Sequence, residues 1–284
     1  MTIRDLLKPT NDYVFKRLFG YVGNEDITKG LLSAILTDVE ISYINLDCKE
    51  ILEQDLMSDK LGILDIKAIL NNDIQCNIEM QIIDNRDIEN RLLFYWSKLY
   101  SKTISKGMGY KDAKRTIVIL FADYMLDNLK KIKKYFTKWH ICEDDYKNVI
   151  LTKKFEIYII ELPKFKDDLF NTDIGNWVRF LKNLEVINMN DMQKDALNKA
   201  KALLEEISQD DHERELALKR EMFLMDRKSE IDTALEKGKK EGYESGKKET
   251  IKEMTRRLLK DNVDIEIIKK VTELSEEEIN SLKD

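Results

Sequence analysis

The stretch from 61 to 83, LGILDIKAILNNDIQCNIEMQII, constrains the fold of this 284-residue chain more than any other. Two runs rich in Ile and Leu flank Asn71-Asn72-Asp73, residue types that accept turn conformations, so the segment predicts a β-hairpin. With those three residues as the loop, Leu70 faces Ile74, Lys67 faces Asn77 and Asp65 faces Glu79. Side chains alternate between the two faces of a strand. Leu64, Ile66, Ala68, Leu70, Ile74, Cys76, Ile78, Met80 and Ile82 then form a wholly apolar face that must be covered. Asp65, Lys67, Gln75, Asn77, Glu79 and Gln81 share the other face with Ile63, Ile69 and Ile83. A slip of one residue would exchange the faces.

Two carboxylates opposed across an antiparallel pair repel each other. A divalent cation held by oxygen ligands removes that penalty, and Lys67 beside the pair is the other way to neutralise it. Spacing alone does not choose between them. His140 and His212 are the only histidines, which excludes histidine-based metal or triad chemistry; any catalysis must run on carboxylates. Cys48, Cys76 and Cys142 are odd in number and widely spaced, a pattern of reduced thiols in a cytoplasm with no zinc site.

Asp65 followed by Glu79-Met80-Gln81 on the next strand resembles the PD-(D/E)XK nuclease active site, with Gln81 in the usual place of lysine. Around it stand Asn11-Asp12-Tyr13-Val14-Phe15-Lys16, then Arg91-Leu-Leu-Phe-Tyr95-Trp-Ser-Lys98-Leu-Tyr100, then Gly109-Tyr110. This ordered set resembles the Rpn family of recombination-promoting nucleases, also described as transposases, over roughly residues 8–125 and more loosely at the C-terminal end. The resemblance implies an α/β fold, a mixed central sheet flanked by helices, and a metal-dependent DNA endonuclease linked to recombination or mobile elements. It implies Asp65, Glu79 and Gln81 as catalytic residues. Asp65 and Glu79 would ligate Mg²⁺ or Mn²⁺, joined by the backbone carbonyl of Met80. Gln81 can hydrogen-bond a water but brings neither charge nor base. Asp12 and Lys67 are expected as support for the site.

The other elements follow from periodicity. Helices are expected at 12–20, capped by Asn11 or Asp12, and at 25–37. A strand is expected over 40–48. A helix over 87–106, stopped by Gly107 and Gly109, sets Arg91, Tyr95, Lys98 and Lys102 on one stripe, read either as solvated or as a contact to DNA phosphates. The apolar run 116–122 predicts a strand buried on both faces. A Lys-rich helix over 128–138, a strand over 155–162 and a helix over 174–184 complete a first domain, 1–188.

Beyond it the chain is charged and helical. Residues 189–249 form a helical segment in which Gly238, Gly242 and Gly246 recur every four residues, as a helix-pairing face or a hinge. Residues 250–284 form a small helical unit, in which Ser275 and Glu278 make a capping box. These helices are expected either to clamp the preceding domain or to make a homo-oligomer contact. No run of about 18 apolar residues or signal-peptide pattern is present, so no membrane association is expected. A net charge of −6 weighs against general nucleic-acid binding, although lysines gather at 98–115 and 130–138. The alternative to a nuclease is therefore a non-catalytic DNA-binding or assembly protein on a decayed nuclease fold.

Overall fold

A computed structural model describes residues 5–47, 65–84, 86–166, 172–184 and 190–283. Cys48, Ile63 and Leu64, assigned above from the sequence pattern, lie outside them. The hairpin forms as its sequence predicts. Strands β2 (Ile66–Leu70) and β3 (Ile74–Gln81) pair antiparallel, with Leu70 against Ile74 and Lys67 against Asn77. Asn71 and Asn72 take φ of 50° and 59°, the left-handed conformation that asparagine tolerates best after glycine. The Asn71 side chain also accepts from the N–H groups of Ser42 and Tyr43 and donates to the Glu40 carbonyl, which docks the neighbouring strand β1 (Ile44–Asp47) on β2.

Strands β4 (Arg115–Ala122), β5 (Phe136–Trp139) and β6 (Phe155–Glu161) complete a sheet of order β1-β2-β3-β4-β6-β5. The pairs β3–β4 and β4–β6 are parallel, and the outer pairs are antiparallel. Every residue of β4 after Arg115 is buried, as expected of a central strand covered on both faces.

Helices α1 (Asp12–Phe19) and α2 (Glu25–Ile35) cover the apolar face of the hairpin, together with α4 (Asp173–Leu181) and α5 (Asp191–Gln209). Asn11 caps α1, its side-chain oxygen accepting from the N–H groups of Tyr13 and Val14. Phe15 meets Phe121 at 5.4 Å between ring centroids, and Phe19 meets Trp177 at 5.7 Å. The opposite face is covered by α3 (Ile88–Ser101), whose Ile88 and Leu92 pack on Val118, Leu120 and Ala122.

The fold departs from the sequence expectation at two elements. Residues 128–138 are not a helix: a short 3₁₀ turn at Asp127–Leu129 is followed by β5. Phe136, Thr137 and Trp139 are strand-forming residues, and pairing with β6 outweighs the helical spacing of the lysines. Lys138 lies 5.4 Å from the Tyr158 ring centroid, so this outer strand carries charge on its edge. Helix α3 also ends at Ser101, before the glycines; the Thr103 hydroxyl donates to the Tyr100 carbonyl and the chain turns away there.

The chain divides into two compact units, Met1–Leu224 and Met225–Asp284. The first continues past the boundary at 188 drawn from composition, because the charged helices after it return to the core. Trp177 donates to Gln193 at 2.8 Å, and Gln193 donates to the Gly30 carbonyl at 3.0 Å. A Cβ on Gly30 would stand 2.4 Å from the Ala196 Cβ and 3.0 Å from Trp177. Gly30→Ala should therefore lower stability by about 1–3 kcal/mol, as overpacking does, in a urea melt. An unchanged midpoint would show that α2 and α5 separate freely.

Helix α6 (Asp211–Lys260) begins in the first unit, where Tyr13 donates to Glu213 at 2.6 Å and Arg17 Nε pairs with Glu213 at 2.8 Å. The helix runs without interruption through Gly238, Gly242 and Gly246, and beyond the adjacent residues and backbone of the helix itself a Cβ built on any of them would meet nothing within 4 Å among the described residues. Within the second unit, α7 (Ile265–Thr272) and α8 (Glu276–Asn280) bury Ile268 and Ile279. The Ser275–Glu278 capping box is formed at the start of α8.

Candidate functional site

In the parallel register Asn77 lies beside Val118 and Glu79 beside Leu120, so Asn77 and Glu79 share the face covered by α3. Glu79 is 1% exposed. Asp65 is half-buried and directly precedes β2; continuing the pairing of Ile66 with Ile78 by one residue sets it beside Glu79. The sequence thus brings its two acids together. Asn77 Nδ2 donates to Glu79 Oε1 at 3.2 Å, and Gln81 Nε2 donates to Oε2 at 3.4 Å. Both carboxylate oxygens face amide donors and neither faces an ion-pair partner among the described residues.

Burial, then the nearby Asp65 charge, holds the Glu79 carboxyl well above the usual carboxylate range. Burial pushes Asp65 up to about 6, against the opposing pull of Arg91, Lys67 and Lys16. The pair is a coupled unit that retains a proton the unfolded chain would release. Folded-state pKa values above the unfolded ones add stability at low pH, and it is lost as pH rises through them. Replacing both acids with amides, Asp65→Asn with Glu79→Gln, should leave the melting temperature near wild type at pH 4. At pH 8 in EDTA it should rise by on the order of 5 °C. A gain that did not grow with pH would place the two carboxyls outside one repelling pair.

Arg91 and Tyr95 stand one turn apart on α3 over this face. Arg91 Nη2 donates to the Tyr95 hydroxyl at 3.1 Å. Burial, then the negative charges of Glu79 and Asp65, pushes the Tyr95 hydroxyl up to about 12, so it stays protonated. Lys98 and Lys102, expected on the same stripe, are exposed, and the Lys98 ammonium lies 5.8 Å from the Phe94 ring centroid. Lys67 is half-buried opposite Asn77. The Met80 side chain points into the apolar face and is 5% exposed. Asp12 is committed elsewhere: Arg220 of α6 grips both of its oxygens, Nη2 to Oδ2 at 2.7 Å and Nε to Oδ1 at 3.0 Å.

Sequence reasoning did not single out Lys16 or Tyr124. Lys16 is 3% exposed on α1, and its charge reaches Asp65. Its signal was a lysine inside an otherwise apolar helix face, one turn after Asp12. Tyr124, held protonated chiefly by burial and next by Asp84, lies where Glu79 and Arg91 also act on it. Nothing in its local sequence marked it.

Two atoms of the site are buried with no hydrogen-bond partner, Asn77 Oδ1 and Arg91 Nε. Such groups cost about 1–3 kcal/mol each when unsatisfied. Among the described residues no group of three or more His, Cys, Asp or Glu gathers. The donors present are two carboxylates and an orphaned amide oxygen, a set that fits a hard divalent cation completed by carbonyl or water oxygens.

The family described as PD-(D/E)XK nuclease family transposase matches residues 9–234, most of the chain. The chain belongs to that family. The mixed sheet with the acids on a hairpin is the fold expected of a PD-(D/E)XK protein, and the match agrees with the resemblance carried by Asp65, Glu79 and the surrounding motifs. No curated protein and no solved structure matches. The matched region ends ten residues beyond the first compact unit, so the PD-(D/E)XK assignment takes in Arg220 of α6, which holds Asp12. No helix among the described residues is long and apolar enough to cross a membrane.

Proposed function

We propose that the protein is a divalent-metal-dependent DNA endonuclease whose centre is the Asp65–Glu79 pair. The observation that carries this reading is the pair itself. Asp65 stands beside the buried Glu79, whose two oxygens accept only from the Asn77 and Gln81 amides, and no cation pairs directly with either acid among the described residues. Mg²⁺ or Mn²⁺ would be held by Asp65, Glu79 and the Met80 carbonyl, and would supply charge neutralisation and an acidified water for phosphodiester hydrolysis.

The other groups belong to the chain. Gln81 Nε2, at the long end of its bond to Glu79, is free to turn and orient a water. Asn77 fixes the Glu79 carboxylate. Lys67 offsets the charge of Asp65. Arg91, Tyr95, Lys98 and Lys102 line the side of α3 along which phosphates of DNA would run. Asp12 supports the site indirectly, by locking α1 to α6 and so fixing Lys16. The cytoplasm, where thiols such as the free Cys76 and Cys142 stay reduced, is the proposed location. A homo-oligomer through the C-terminal helices is part of the same reading, supported by the exposed Leu218, Met222, Met225 and Tyr243 of α6.

Supercoiled plasmid at low salt tests the proposal. Nicking in Mg²⁺ or Mn²⁺ and none in EDTA is expected; no nicking in either metal would overturn it. The presence of Gln81 where the motif has lysine favours a second reading, DNA binding without cleavage, which predicts retardation of DNA in the same samples with the plasmid intact.

A further inference from the structure

We propose that Arg91 supplies, from α3, the positive charge at the scissile phosphate that Gln81 cannot, with Tyr95 as its positioning residue. The inference rests on the nuclease reading and assigns within it a role that the motif leaves vacant.

Position comes first. Arg91 and Tyr95 lie four residues apart on α3, the helix that covers the Asn77–Glu79 face of the sheet. Among the described residues Arg91, Lys67 and Lys16 act on Asp65; Arg91 acts most strongly of the three, and it acts on Glu79 as well. A guanidinium beside two carboxylates would ordinarily close a bidentate ion pair. Here it closes none with either acid among the described residues. Tyr95 holds it back: Nη2 donates to the phenol oxygen at 3.1 Å, and the guanidinium carbon sits 5.6 Å from the ring centroid. A gap remains between cation and anions.

Chemistry comes second. The Nε–H of Arg91 is buried and has no acceptor among the described residues. A planar cation with an unspent donor, held off two carboxylates, suits a phosphate group arriving between them. Arginine keeps its proton, so it cannot act as the base. Its work is electrostatic: it faces the non-bridging oxygens as the water oxygen bonds to phosphorus and the ester P–O bond breaks. The water's proton passes to solvent, and the leaving oxygen takes a proton from solvent.

The test separates binding from chemistry. DNA affinity is read by fluorescence anisotropy in Ca²⁺, and single-turnover nicking in Mg²⁺, for wild type, Arg91→Ala, Arg91→Lys and Tyr95→Phe. Arg91→Ala should nick about 100-fold more slowly, with a rise in Kd at least about tenfold smaller than the loss in rate. Arg91→Lys should fall between the two, and Tyr95→Phe should lose about tenfold in rate. Added guanidinium ion should restore part of the Arg91→Ala rate, which a folding defect would not allow. An unchanged rate, a loss confined to Kd, or a loss without rescue would each overturn the inference and leave the nuclease intact. A wild type that does not nick would overturn both.

Discussion

Glu79→Gln should give a folded protein that no longer nicks DNA. The substitution keeps the volume of a side chain that is 1% exposed, so packing between β3 and α3 is preserved. It removes the charge that Asp65 opposes, and with it a source of instability at neutral pH. The cost falls on catalysis. A metal site contributes several kcal/mol of charge stabilisation to a transition state, and each 1.36 kcal/mol is tenfold in rate. The loss should therefore be roughly 1,000-fold or greater, read as single-turnover nicking, while the melting temperature in EDTA at pH 8 does not fall. One donor of the Asn77 and Gln81 amides will face an N–H in place of an oxygen, so Asp65→Asn serves as the companion variant. Near-wild-type cleavage by both would move the chemistry away from the hairpin.

Arg220→Ala should produce a large loss of stability. The Arg220 and Asp12 side chains are only 9% and 11% exposed, and three hydrogen bonds of 2.7 to 3.1 Å join them. Removing one member of a buried pair strands the other charge, at a cost of about 3–5 kcal/mol. At roughly 2–4 °C per kcal/mol for a unit of this size, the melting temperature should drop by about 10 °C. The double variant Asp12→Ala/Arg220→Ala should recover part of that loss, because no charge is stranded. A loss below about 1 kcal/mol in Arg220→Ala would mean that the pair behaves as a solvated surface bridge.

The hairpin was legible because a period of two, an asparagine turn and a single buried face all specify the same register. Glu79 and Asp65 followed from that register. The buried strand β4 was legible as a short continuous apolar run, and β6 as a run of Ile and aromatic residues closed by Pro163. What escaped was decided by distant partners. Residues 136–139 are strand because β6 offers an unpaired edge, which lysine spacing does not reveal. The return of α5 and α6 to the core depends on Gly30, Gln193 and Arg220, residues far apart in sequence whose contacts with one another's elements no local pattern announces. At the site, Arg91 and Tyr95 were visible as a helical stripe. Their separation from the exposed Lys98 and Lys102 arises from the packing of α3 on the sheet. Lys16 was hidden inside a helix that sequence pattern assigns to the core.

The grip of Arg220 on Asp12 joins residues 208 positions apart. During synthesis, at about 5–20 residues per second, the first helix leaves the ribosome many seconds before its partner exists. Until then Asp12 has no buried counter-charge, and α1 cannot settle against the sheet with Lys16 near Asp65. A nascent chain stopped short of residue 220 carries both acids of the hairpin on an unfinished frame. Ribosome-bound fragments of this chain would thus complete the first unit only once the start of α6 has emerged.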